Sequence, residues 1–319
     1  MDPLSTVKRS APCGFSFQDL KRGPVLAVTS VSVFFFLIVL RLINEVNFLR
    51  LLTCFGQTGS GCAPVSEFQL QAPTHHGGYI NIKTREPLHI YCDLCAIVSS
   101  SGQMTGQKMG HEIDQSSCIW RMNNSPTKGY SEDVGEKTTV RVVSHTSVPL
   151  LLKNPDYFFK ETNNTIYVIW GPFRNMREDG KGIVYNMLKR TVEKYSNAKI
   201  YITTEKRMDY CDFIFKEETG RDRVQSGSYL STGWFTLILA IEACNKIHVY
   251  GMINDTYCRM EGSRKVPYHY YEPGRFECEE YLLHENAPYG GHRFITEKRV
   301  FAKWSKQHNI TFTHPNWTV

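Results

Sequence analysis

Nowhere in its 319 residues does the chain carry Asp-x-Asp. That pattern holds the metal in many enzymes that use nucleotide-diphosphate donors, so its lack points to chemistry without a metal cofactor. There is no internal repeat, which sets aside solenoids and propellers, and no long low-complexity tract. Lys and Arg number 37 against 31 Asp and Glu, a net charge of +6, yet the basic residues are scattered along the chain. A nucleic-acid reader needs a concentrated basic face, so no nucleic-acid partner is expected. A weakly basic surface suits small anionic substrates better. Metal-ligand spacing is equally scarce. Cys92-Asp93-Leu94-Cys95 is a CxxC, but neither a second CxxC nor an HxxxH accompanies it, which leaves zinc the weaker reading.

Long hydrophobic runs are scarce too, and the exception is informative. Residues 24–40 are 17 in a row without a charge, including Phe34, Phe35, Phe36, Leu37 and Ile38. A helix of that length spans roughly 25 Å, the short end of what crosses a bilayer. Lys8, Arg9, Lys21 and Arg22 precede it and Arg41 follows. The basic bias predicts a cytosolic tail over residues 1–23, a signal-anchor helix over 24–40 and a lumenal remainder. A cleaved signal peptide would want small residues at its end, where Arg41-Leu42-Ile43-Asn44 stands. A buried core helix would not normally be followed by polar, turn-rich sequence. The short span suits thin early-secretory membranes. Residues 41–85, with Gly56, Gly59, Gly61, Pro64, Pro73, Gly77 and Gly78, read as a stem, and 86–319 as the lumenal domain.

Of ten cysteines, nine lie beyond the apolar span. Disulfides belong in that compartment, and an odd number leaves at least one thiol free or paired between chains. Cys54 and Cys62, next to the membrane, offer a route to a homodimer. Sequons at Asn163, Asn254, Asn309 and Asn316 fit the same environment.

In the lumenal part, residues 95–98, 140–143, 166–170, 200–202, 212–215 and 247–250 read as short β-branched strands. Ile183, Val184, Met187, Leu188, Val192 and Tyr195 recur at helical spacing, as do Trp234, Leu237, Ile238 and Ile241. Strands alternating with helices predict an α/β sandwich with a mostly parallel sheet, and ligands then bind beyond the C-terminal strand ends. Two loops sit there: Ser99-Ser100-Ser101-Gly102, and Tyr229-Leu230-Ser231-Thr232-Gly233 at a helix start. The first is a plain turn or a close approach to a ligand, the second an ordinary N-cap or an anion site. Two later clusters look chemical. Tyr268-His269-Tyr270-Tyr271-Glu272 gathers four rings without an apolar period. His292 follows Gly290-Gly291 on an approachable loop, with Glu297 five residues on; taken alone, such a histidine is as readily structural.

Together and in order, these segments resemble the animal sialyltransferases. The long motif resembles the stretch from Cys95 to Thr139, with Ser99-Ser100-Ser101-Gly102, Ile113-Asp114, Arg121-Met122-Asn123, Pro126, Gly129-Tyr130 and Asp133-Val134-Gly135-Glu136-Lys137-Thr138-Thr139. The short motif runs from Tyr229 through Cys244 to Gly251, the third is His269-Tyr270-Tyr271-Glu272, and the very small one is His292-x4-Glu297. One departure stands out: where the family usually has Gly-Asn-Ser-Gly, this chain has serine at positions 99 and 100, offering a hydroxyl for an amide. The resemblance covers nearly the whole chain and is strongest to the short-stemmed group acting on N-acetylgalactosamine, in which the serine-rich form also occurs. It implies a single Rossmann-like (GT-A-like variant) domain in the Golgi membrane, single-pass type II. The implied donor is CMP-sialic acid and the implied acceptor a sialylated Gal-GalNAc glycan on glycoproteins and gangliosides. The implied reaction is inverting and metal-free, at the 6-hydroxyl of N-acetylgalactosamine. His292 would be the base and His269 would steady the departing CMP. Ser100, Ser101, Asn123, Tyr229, Ser231, Thr232, Gly233 and Gly251 would hold the donor, and Cys95 would pair with Cys244. A catalytically weak glycan-binding protein on the same scaffold, or a transferase for another nucleotide sugar, are the alternatives. The first should have lost His292 or His269, and both are present.

Overall fold

The computed structural model describes residues 78–161 and 164–317. The tail, the anchor span 24–40, the stem up to residue 77 and the sequon at Asn163 lie outside them. No helix among the described residues is long and apolar enough to cross a membrane.

Eight strands form one sheet: β1 (Tyr79–Asn81), β2 (Cys92–Val98), β3 (Cys118–Met122), β4 (Val140–Ser144), β5 (Ile166–Trp170), β6 (Lys199–Thr203), β7 (Cys244–Tyr250) and β8 (Ile310–Thr313). Their spatial order is β1-β6-β5-β4-β3-β2-β7-β8, parallel throughout except that β1 runs antiparallel to β6. The mostly parallel α/β expectation is thereby met. The stem boundary moves: β1 falls inside the segment read as stem, because Tyr79 pairs with Thr203 and its ring is buried in the core.

The main helices are α1 (Ile183–Lys194), α2 (Glu205–Thr219), α3 (Thr232–Ala243), α4 (Glu277–Glu285) and α5 (Phe294–Gln307). Strand residues alternate between two faces. Cys95 and Ile97 join Trp120, Val142 and Val249 in a core under α3 and α5. Ala96 and Val98 point the other way, toward Met104, Ile113 and Val134. α3 is apolar nearly all round, as a helix enclosed in protein must be. Trp234 at its start packs against Phe215, Phe301 and Trp304 with ring centroids 5.4, 5.9 and 4.9 Å away.

The strand expected at 212–215 is absent, since those residues belong to α2. Thr204 caps that helix by accepting from the Arg207 N–H, and Gly220 closes it at φ 68°. Met208, Cys211 and Phe215 form its inward stripe against the core. A three-residue apolar run fits either period, and the caps decide it. Strands β1, β3 and β8 and helices α2, α4 and α5 do not stand out in the apolar pattern.

Disulfides join Cys95 to Cys244, Cys92 to Cys118, and Cys258 to Cys278. The expected Cys95–Cys244 link ties β2 to the junction of α3 and β7. The CxxC spacing is split between two disulfides, which removes the zinc reading. Cys92, Cys95 and Cys244 do lie within 4.8 Å of one another, but as disulfide sulfurs rather than thiolates. Cys211 is the free thiol among the described residues. It is buried, and burial pushes it up to about 12, so it is an inert core residue.

Candidate active site

β2 runs out toward β3 on one side while β7, beside it, leads to β8 on the other. Such a switch point leaves a crevice beyond the strand ends. Two adjoining hollows occupy it. The smaller, about 240 Å³, is lined by Ser99 to Ser101, Asn123, Thr232, Gly233, His269 and Lys298. The larger, about 840 Å³, includes His145, Phe173, Arg174, Tyr229 and Leu230. Ser144, Thr146, Trp170 and His292 line both, so the hollows share a wall and His292 stands at their junction.

The floor of the smaller hollow is held by buried arginines. Arg141 on β4 donates through Nη1 to the carbonyls of Asn123 (2.8 Å) and Ser125 (3.0 Å). These bonds hold Asn123 at φ 50°, a conformation that asparagine tolerates. The Asn123 Oδ1 accepts from the Ser144 N–H (3.0 Å) and the Thr232 hydroxyl (3.4 Å). Arg121, opposite Arg141 in register, ties down the carbonyls of Val134 and Lys137. In the serine loop, the Ser99 and Ser101 hydroxyls cap the local backbone. The Ser100 carbonyl accepts from the Tyr270 N–H, and its side chain lines the hollow.

The α3 N-terminus forms the next wall. The Ser231 hydroxyl accepts from the Trp234 N–H (3.1 Å) and donates to Glu297, whose other oxygen accepts the Ser231 N–H (2.8 Å). Ser231 is therefore occupied within the protein. The Thr232 and Gly233 N–H groups remain at the helix start, where four such donors lack intrahelical partners. Burial pushes the Glu297 carboxyl up to about 7 against the opposing pull of the Ser231 bonds. Lys298 is buried beside it, its ammonium 4.3 Å from the Tyr281 ring centroid. Desolvation lowers it to about 8, partly offset by Glu277, Glu297 and Glu285.

Across the hollow, Glu272 takes a hydrogen bond from the His269 Nδ1–H, and the imidazole stacks between Tyr268 and Tyr271 at 4.4 and 5.1 Å. The aromatic cluster thus clamps one ring and leaves Nε2 as its unengaged nitrogen.

His292 precedes α5 rather than lying on it, so it and Glu297 turn to different partners. Its Nδ1–H donates to the Tyr229 carbonyl, 3.1 Å away. A carbonyl cannot donate, so Nδ1 carries the proton and Nε2 keeps a lone pair. Burial, followed by the neighbouring His284 imidazole, lowers the His292 pKa to about 4, with hydrogen bonds to the Tyr229 and Leu230 backbone opposing. At neutral pH the ring is an uncharged proton acceptor.

Most expected site residues thus converge on the small hollow: Ser100, Ser101, Asn123, Ser231, Thr232, Gly233, His269 and His292. Two do not. Tyr229 belongs to the larger hollow, where its carbonyl serves His292. Gly251 lies outside both, at φ 78° beneath the serine loop, and a Cβ there would stand 2.6 Å from the Met104 sulfur. Its role is the turn after β7. Lys298, His284 and Arg141 were not anticipated. Lys298 had a readable signal, because Phe294, Glu297, Lys298 and Phe301 fall at i, i+3, i+4, i+7 on one buried stripe. Of the sequons, Asn309 and Asn316 are exposed, and Asn254 is half-buried with its Oδ1 accepting from Thr256 and Tyr257.

A sequence profile described as glycosyltransferase family 29 (sialyltransferase) matches residues 80–309. Alpha-N-acetylgalactosaminide alpha-2,6-sialyltransferase 3 of Homo sapiens is 73% identical over 94% of this chain and 98% of its own length. The Homo sapiens alpha-N-acetyl-neuraminyl-2,3-beta-galactosyl-1,3-N-acetyl-galactosaminide alpha-2,6-sialyltransferase is 51% identical over 77% of this chain and 82% of its own length. Alpha-N-acetylgalactosaminide alpha-2,6-sialyltransferase 6 of Bos taurus is 45% identical over 76% and 73%.

Proposed function

Because the chain belongs to glycosyltransferase family 29, the sialyltransferases, we propose that it transfers N-acetylneuraminic acid from CMP-N-acetylneuraminate to a 6-hydroxyl. The acceptor is the N-acetylgalactosamine of Neu5Ac-α2,3-Gal-β1,3-GalNAc, on O-glycans and gangliosides. The names of its relatives support both the linkage and the sialylated acceptor.

The observation that carries the mechanism is a neutral His292 at the junction of two hollows, with Nδ1–H bound to Tyr229 and Nε2 free. The donor takes the smaller hollow and the acceptor the larger. As the 6-hydroxyl oxygen attacks the anomeric carbon, His292 Nε2 takes its proton. The bond from that carbon to the CMP phosphate oxygen breaks on the opposite face, giving inversion. Charge gathers on the phosphate, where the Thr232 and Gly233 N–H groups donate at a helix N-terminus and His269, as an imidazolium whose Nδ1–H is held by Glu272, donates through Nε2–H. Asn123 and Ser100 position the nucleotide, and Lys298 offers positive charge within the same walls. In the acceptor hollow, Arg85, Arg177 and Arg223 are each paired with a carboxylate. Among the described residues, Arg174 is the arginine there without such a partner, and it suits the acceptor's own sialic acid.

No step calls for a metal. The enzyme sits in the Golgi membrane as a single-pass type II protein with this domain lumenal, a reading supported by the apolar span, three disulfides and exposed sequons. Pairing through Cys54 or Cys62 would make a homodimer.

The test is CMP release by the full chain from CMP-N-acetylneuraminate with sialylated core-1 acceptor and a chelator present. Product linkage is read by mass spectrometry after linkage-specific sialidase. No CMP release, or a product with another linkage, refutes the reading.

A further inference from the structure

The loop that carries His292 has little stiffness of its own. Gly290 sits at φ 76°, and a Cβ on Gly291 would stand 2.2 Å from the His284 carbonyl oxygen, so the chain passes tightly over the end of α4. Glycines cost the most backbone entropy to hold in place. Three ties hold it. Arg293 donates to the carbonyls of His284 (2.8 Å), Glu285 (3.1 Å) and Ala287 (2.9 Å). The Glu285 carboxylate accepts from the Ile295 and Thr296 N–H groups and the Thr296 hydroxyl. The third reaches His292 itself: its backbone N–H donates to His284 Nδ1 at 3.2 Å, and the two rings stack at 5.3 Å and 27°.

That third bond specifies a protonation state. An N–H can only donate, so His284 Nδ1 must present a lone pair. Its proton is then on Nε2, which donates to Glu280 Oε1 at 3.2 Å. We propose that His284 is a positioning residue for the catalytic base. As a neutral imidazole oriented by Glu280 it anchors and stacks on His292. The inference rests on His292 being that base. The other charged groups facing His284 are Glu280 (itself 3.7 Å from Arg275), Glu285 and Arg293. None of them can stand in for Nδ1 as that acceptor, since Glu280 already lies on the far ring nitrogen.

The experiment measures kcat, both KM values and the melting temperature for the full chain and for His284→Ala, His284→Asn and His292→Ala. In His284→Ala, kcat should fall on the order of 10-fold, a displaced-base effect, with the donor KM little changed. In His284→Asn, the amide oxygen replaces Nδ1 as acceptor. Most of kcat should return. Wild-type kcat in His284→Ala, or a kcat in His284→Asn as low as that of His284→Ala, would overturn the proposal. So would equal losses of kcat and melting temperature in both His284 variants, which would mark a purely structural role. If His292→Ala kept its turnover, the base assignment would fall first, and this inference with it.

Discussion

A histidine surrounded by His284, Phe294 and the Tyr229 backbone loses hydration, and an imidazolium suffers most from that loss. This is why His292 stays neutral, the state its proposed role as base requires. Replacing it with alanine removes the proton acceptor without touching Asn123, Ser100 or the α3 N-terminus. Transfer should drop by about 10²–10⁴-fold, with CMP affinity in equilibrium binding close to wild type. The same burial has a stability consequence. A folded-state pKa of about 4, depressed from 6.5, means this group's stabilisation is present above about 6.5 and lost as pH falls through about 4. His292→Asn should therefore be less sensitive to acid than the wild type across that window, as read by melting temperature against pH. The motifs marked His292, but the Nδ1–H bond that defines its tautomer involves a carbonyl 63 residues away. No local spacing carries that information.

At the scale of elements, the key joint is between α3 and α5. Glu297 from the first turn of α5 accepts both the N–H and the hydroxyl of Ser231, the residue that caps α3. Glu297→Ala would leave the buried Ser231 N–H without a partner, at a cost of about 1–3 kcal/mol. It should also shift the Thr232 and Gly233 donors, so donor KM should rise together with a lower denaturation midpoint. Glu297→Gln keeps an acceptor for the N–H and should lose less. The carboxyl is raised from 4.5 to about 7, so its stabilisation is full below about 4.5 and lost as pH rises through about 7. The Gln variant should lack that alkaline-side loss, and an unchanged pH profile of stability would refute the assignment. Five residues apart, His292 and Glu297 turn to different partners, because α5 begins at Phe294, after the histidine. Helix α2 teaches a related lesson: Phe213-Ile214-Phe215 fits a strand by itself, and only the Thr204 cap and the Met208–Cys211–Phe215 stripe make it helical.

Across the whole molecule, the Cys95–Cys244 disulfide closes the longest loop among the described residues, at a sequence separation of 149, and it fastens the strand before the serine loop to the helix whose N-terminus lines the smaller hollow. Replacing both cysteines with serine should cost about 2–5 kcal/mol, seen in chemical denaturation. Replacing Cys258 and Cys278, which close a loop of 20, should cost less in the loop-entropy account. Equal losses would speak against that account here. The strands at 140–143, 166–170 and 247–250 and helices α1 and α3 were legible because apolar period is a local property. β3 was not: Cys118–Met122 is buried on both faces, yet its third and fourth residues are a tryptophan and an arginine. A buried arginine reads as a surface residue until the carbonyls of Val134 and Lys137 are brought to it. The linear order of residues by itself determined the α/β class, the residue types at the C-terminal strand ends and the pairing of Cys95 with Cys244 through resemblance. Tertiary structure alone decided that the Tyr229 carbonyl meets the His292 ring, that Glu297 serves Ser231, and that His284 backs His292. Each of those is a hydrogen bond across a fold contact, and a bond's direction depends on geometry that sequence separation does not encode.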